Sequence, residues 1–335
     1  MRSVIRLRET VRRMGARDEP PSGTSRAPHR SLWAPYSESE VFARKYLTIE
    51  AARQLNRSAG LLAAEAWLEN AHKYYCGDVR HKALLMPLWA STLSLFVNLQ
   101  GATDRSRTAS ATRGLVLLVA AFAGVSEAGF RVRQAPRRPG GRLWRALWSA
   151  TPGGGAPAAL WLSGLLGLFA ERVRHTAAHR APTFLGVHAG RVVGLATAAA
   201  LIGANEEAGL RPLRGVFQNP FVYIPLMLPP VAAALVARAS WDPRARVHKT
   251  TRTWLWVTVG AGMVATGLRA YGVARATASG FKGRRSGWAI ASIPVPPRST
   301  ALALAGLAAL GLLDEGSYSG SPKGAAGIAL SVYRA

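Results

Sequence analysis

Seven long apolar runs, almost free of charge, constrain this chain more than any motif does: 83–99, 114–130, 155–170, 184–203, 221–237, 254–271 and 300–313. At about 1.5 Å per residue, a helix of roughly 17 residues measures about 25 Å, just enough to cross a thin bilayer. The last run is shorter and crosses only with Pro297 to Ser299, or Asp314, near the interface. The competing reading makes these runs the buried helices of a large water-soluble bundle. Against it, 114–130 and 221–237 lack the two-faced pattern of a helix with one side in water. The expected fold is all-α: a polytopic transmembrane helix bundle of about seven spans.

Composition agrees. Apolar residues make up 49% of the 335 and charged residues 18%, against roughly 25% charged in an ordinary soluble domain. That much apolar surface excludes disorder along the whole chain. No Gly triplet repeat, no long heptad run and a single cysteine, Cys76, exclude collagen, coiled-coil and disulfide scaffolds. Lys plus Arg is 43 against 17 Asp plus Glu, a formal +26, which in a soluble protein would point to nucleic acid. Here only six are Lys, and the Arg residues sit mainly between the apolar runs, where anionic lipid head groups attract them. The expected partners are therefore a lipid bilayer with anionic head groups and a partner membrane complex, with no nucleic acid.

Residues 1–36 are rich in Arg, Ser and Pro and hold no apolar stretch of signal-peptide length. They read as a disordered basic tail. From Ser39 to Tyr75 apolar residues recur at three- and four-residue steps, interrupted by Arg44, Lys45, Glu50, Arg53 and Arg57. This segment is expected to be an interfacial helix, lying on the membrane or against other helices rather than crossing. Residues 316–335 read as a C-terminal tail. Linkers 131–154 and 275–299 resemble one another, each Arg-rich and then rich in Pro or Gly.

That likeness suggests a duplication. A shift of 138 aligns Pro87 with Pro225, Gly124 with Gly262, Gly129 with Gly267 and Arg131 with Arg269, with five identities across 114–130. A shift of 144 aligns Trp144 with Trp288, Pro152 with Pro296, Gly167 with Gly311 and Glu171 with Glu315, with eight identities across 144–172. Two related units follow: 39–172, an interfacial helix and three spans, and 184–315, four spans. With run 184–203 separating three-span sets, the repeats are parallel, about an axis along the membrane normal. Lys and Arg counted on alternate sides place the N-terminus in the cytoplasm, and seven spans then put the C-terminus opposite.

Few residues carry chemistry. His175 and His179 lie four apart, but Thr176 stands where a metallohydrolase helix needs Glu. His188 is the one histidine inside an apolar run, so two-histidine haem ligation in the bilayer is not expected. Gly260, Gly262 and Ala265 lie within an apolar run without a preceding strand and are no dinucleotide fingerprint. No catalytic, cofactor-binding or metal-binding residue is expected. Glu127 and Arg131, one turn apart, and Arg269, the repeat-mate of Arg131, are weak functional candidates because ionisable groups are costly in membrane segments. Asn219 is a fourth, preceding a span that Pro225, Pro229 and Pro230 bend or interrupt. Gly186, Gly190 and Gly194 follow at four-residue steps and are expected to let two helices approach closely.

The segment Phe217-Gln218-Asn219-Pro220 with Pro225, then Tyr271-Gly272-Val273, Gly280, Trp288, Pro296-Pro297 and the run from Ala301 to Leu313, resembles uncharacterised bacterial multipass membrane proteins. The resemblance covers about 206–315 and implies a bacterial inner-membrane location without implying a reaction. The functional expectation is a non-catalytic membrane scaffold, anchor or accessory subunit. Its rival is a transporter or channel with a site between two parallel repeats.

Overall fold

A chain of Ala, Leu, Gly and Val runs punctuated by Pro and Gly favours helices separated by short breaks, and the computed structural model is almost entirely helical. It describes residues 38–75, 85–105, 110–134, 155–175, 183–184, 186–210, 223–242, 245–278 and 298–317. The helices are α1 (Glu38–Tyr75), α2 (Leu85–Thr103), α3 (Ala111–Gln134), α4 (Gly155–Arg174), α5 (Ala189–Leu210), α6 (Tyr223–Trp241), α7 (Ala245–Ala278) and α8 (Arg298–Ser317). A two-residue hairpin, β1 (Thr183–Phe184) with β2 (Val187–His188), precedes α5. The basic tail expected over 1–36 and the tail from 318 lie outside the described residues.

Helix α1 lies lengthwise against α2, α4 and α8. Of the two placements expected for it, packing against other helices is the one found. Its stripe of Ala52, Leu55, Ala59, Leu62 and Ala66 recurs at helical spacing and is wholly buried. Of the charges that interrupt the stripe, Arg53 Nη1 lies 2.8 Å from Glu50 Oε2 and Arg57 Nη1 3.4 Å from Glu50 Oε1.

Two sets of four helices share one packing scheme. In the first, α1 packs on α2 and α4, α3 packs on α2 and α4, and α2 touches α4; in the second, α5, α6, α7 and α8 repeat those contacts in order. Helices α1 and α2 run antiparallel, as do α6 and α7. Arg53 Nε donates to the Ala102 carbonyl at 2.9 Å, while Gly60, two turns further on, faces Asn98. Likewise Thr251 Oγ1 donates to Leu235 O and the Trp254 indole to Leu228 O. The sets meet mainly where α8 lies along α1.

Large apolar side chains lie on the outside of several helices as well as in the Ala- and Leu-rich core. Met86, Trp89, Leu93, Phe96 and Leu99 on α2 are exposed, as are Leu115, Leu118, Val119, Phe122 and Val125 on α3. So are Met227, Val231 and Trp241 on α6, and Trp256, Val257, Met263, Val264, Leu268 and Tyr271 on α7. Ser91, Ser94 and Asn98 of α2 are buried instead. Among the described residues one stretch, Ala111–Gly129, is long and apolar enough to cross a membrane, and only 33% of it is buried. Ala189–Ala204 is a shorter apolar stretch. Seven stretches were expected; on length and composition, one among the described residues qualifies.

Two local expectations change. The run 184–203 does not begin as a helix: Gly186 has φ +80° and turns the β1–β2 hairpin, a conformation Gly adopts freely. Helix α5 starts at Ala189, where the Gly190 amide donates to His188 Nδ1 at 3.2 Å and satisfies one of the helix's free N–H groups. Helix α6 continues through Pro229 and Pro230.

Candidate functional site

The charged residues of the described helices concentrate where helices end, and three groups of them join helices far apart in sequence. The first closes the lower end of α2, α3 and α4. Arg113 Nη1 lies 2.7 Å from Asp104 Oδ2, and its Nε 3.3 Å from Glu171 Oε1. Arg174, 2% exposed, donates from Nη2 to Gly101 O at 2.7 Å and from Nη1 to Asp104 O at 2.9 Å. With Arg53 on Ala102 O, two guanidinium groups cap the carbonyl end of α2, the end that attracts positive charge. Burial lowers Arg174 from the usual guanidinium range, opposed by the nearby charges of Glu171 and Asp104.

The second group joins α7 to α8. His248 Nδ1 lies 2.5 Å from Asp314 Oδ1, and Arg252 Nη2 2.7 Å from Asp314 Oδ2. The hydrogen bond to Asp314 raises His248 above its ordinary value against the opposing effect of burial. The third ties the sets together at the other end. Arg298, the first residue of α8, lies 2.8 Å from Glu65 Oε1 and 3.4 Å from Glu69 Oε2 of α1.

Deeper in the first set sits a neutral polar cluster. Ser94 Oγ and Ser163 Oγ are 2.9 Å apart. Asn98 Nδ2 donates to Ser94 O at 2.8 Å and reaches Ser94 Oγ and Ser163 Oγ at 3.2 and 3.3 Å. Ser163 Oγ donates to Ala59 O at 2.8 Å. All three side chains are fully buried. Asn98 Oδ1 and the Nδ2 of buried Asn56 have no hydrogen-bond partner among the described residues, which is costly for amide groups away from water. These groups tie α1, α2 and α4 together where Gly60, Gly101 and Gly167 let the helices approach.

The residues expected to matter are scattered. Glu127 is buried on α3. Arg131 and Arg269 are helical, in α3 and α7, but their side chains lie outside the described residues, as do Asn219, His179, Trp144 and Trp288. Gly190 packs against Leu313 and Ala309 of α8, and Gly194 against Ser240 and Val236 of α6. Gly186 has open space around it and joins no helix interface. Sequence reasoning missed all three ion groups because it assigned loop-flanking charges to lipid head groups. The available signals were Glu171 with Arg174 and His248 with Arg252, each pair one turn apart on a helix.

The groups therefore bind helices to one another through charge-assisted hydrogen bonds. No protein family, curated protein or solved structure matches the chain.

Proposed function

We propose that the chain is an integral membrane helix bundle of the bacterial inner membrane that serves as a scaffold, anchor or accessory subunit for a partner membrane complex. The carrying observation is the exposed apolar surface on α2, α3, α6 and α7 opposite buried Ser91, Ser94 and Asn98. Apolar patches of that extent are rare on soluble monomers, whereas lipid tails accept them. Exposed Trp89, Trp241 and Trp256 suit interface anchoring. The engagement of Arg113, Arg174, Arg252 and Arg298 as ties between helices favours a structural role for the interior charges.

The same reading makes the bundle a duplication of a four-helix unit. Its support is the repeated packing scheme and the neighbours each position meets. A Cβ on Gly60 would lie 3.7 Å from Asn98, and one on Gly194 3.7 Å from Val236. Around that pair Arg57, Gly60, Leu61, Ala64 and Ala66 match Arg191, Gly194, Leu195, Ala198 and Ala200. On this pairing α1 is the counterpart of α5, so the bundle crosses with eight helices rather than seven.

A second reading, a transporter with a polar path, is favoured by the buried Ser94–Asn98–Ser163 cluster. Its counterparts in the second set are apolar: Ala232 for Ser94 and Val236 for Asn98. The membranes should retain the chain through high salt and alkaline carbonate, and mild detergent should release it with a stoichiometric protein partner. Recovery in the carbonate supernatant would overturn the membrane reading. A partner-free chain that passes small polar solutes into vesicles would replace the scaffold with the transporter.

A further inference from the structure

The two sets are locked differently at the same end. In the first, Arg113 of α3 holds Glu171 of α4; in the second, Arg252 of α7 holds Asp314 of α8. Arg113 is the third residue of α3 and Arg252 the eighth of α7, 139 positions apart, each after a break. Just before those breaks the Asp104 amide donates to Gln100 O and the Asp242 amide to Arg238 O, positions 138 apart. The second lock has one additional member. His248 is 5% exposed and shares Asp314 with Arg252, whereas the residue 138 positions earlier is Ser110, which stands beside the first turn of α3.

We propose that His248 and Asp314 form a proton-operated latch that tightens the last turn of α8 onto α7 when His248 is charged and loosens it when His248 is neutral. The first set has no such control, because arginine keeps its charge across the physiological range. The groups facing His248 fix the direction. Asp314 approaches from α8, and Asp242 and Arg238 end α6. Arg252 and Lys249 belong to α7 itself, Lys249 pointing outward. Across the junction, Gly190 of α5 stands beside Leu313 of α8, and the next residue, Arg191, is exposed. The carboxylate at 2.5 Å outweighs the more distant cations, so the charged imidazole is the form that the site holds.

The sign follows from His248 being raised above its ordinary value in the folded chain. Its contribution is fully present below the unfolded value, near 6.5, and disappears as pH rises through the higher folded value. Loss of that charge leaves Asp314 with Arg252 as its cationic tie and a neutral imidazole that can still donate from Nδ1. The turn carrying Leu313, which packs on Gly190 of α5, then loses one of its two cationic ties, so the latch acts where α5, α7 and α8 meet. The proposal does not depend on whether a bilayer surrounds the bundle.

The test uses the full chain in mild detergent, followed by thermal unfolding and by hydrogen exchange of residues 308–317 between pH 5.5 and 8.5. Wild type should lose about 2–4 °C of melting temperature across the upper part of that range, with faster exchange confined to the end of α8. His248→Gln should remove the pH step. Identical pH profiles for wild type and His248→Gln would overturn the latch. Histidine ring NMR on the wild-type chain gives an independent reading if the variant does not fold. A His248 resonance, identified by its displacement in Asp314→Asn, should titrate above 6.5, and titration at or below that value would overturn it as well.

Discussion

Leu117 and Leu255, 138 residues apart, occupy the same place in the two helical sets: each is fully buried and lies against a glycine of the set's fourth helix. A Cβ on Gly167 would meet Leu117 Cδ2 at 2.6 Å and Asn98 Oδ1 at 2.8 Å. One on Gly306 would meet Leu255 Cδ2 at 3.1 Å and Val236 Cγ2 at 3.4 Å. Asn98 and Val236 are again 138 apart. The neighbours thus pair Gly167 with Gly306, not with Gly311, which meets nothing within 4 Å. Sequence identity had aligned the fourth helices five residues away from the register in which they pack.

Gly167→Leu should destabilise the bundle by about 1–3 kcal/mol, as overpacking of a filled contact does. Gly129→Leu should be nearly neutral, since Gly129 faces open space on the exposed side of α3. Unfolding of each variant in detergent checks the contrast. Equal losses would mean that α4 does not sit against α2 and α3 as described.

Arg298→Ala should cost about 2 kcal/mol, because it removes the charge-assisted bonds that this buried guanidinium makes to half-buried Glu65 and Glu69. A Glu65→Gln, Glu69→Gln, Arg298→Met triple change should recover most of that loss. If the single and triple variants unfold alike, the α1–α8 tie contributes nothing.

Topology separates eight crossings from seven. Reporter fusions to the two ends should report the same side of the membrane, with both ends cytoplasmic, because α1 runs antiparallel to α2 within the bundle instead of lying on its surface. Ends on opposite sides would restore the seven-span count.

Asn98→Val installs the residue found at the corresponding place of the second set. The chain should still fold and still co-purify with its partner, since that second set packs without an amide at Val236. Solute flux abolished by this change, in a chain of normal melting temperature, would favour the transporter and count against the scaffold.

The amino-acid sequence alone determines that the chain is helical and where most helices begin, though seven helices run four to seven residues past the ends of the apolar runs. These are local matters of apolar spacing, Pro and Gly breaks and residue identity. It also places Gly190 and Gly194 on one face, four residues apart. It does not determine what that face meets, nor that Gly186, one step earlier, leaves the helix for a turn at φ +80°. Arg113 with Glu171, His248 with Asp314 and Arg298 with Glu65 are separated by 58 to 233 positions. Only the packing of the helices brings them within about 3 Å, because charge pairing depends on distance in space and carries no periodic mark along the chain.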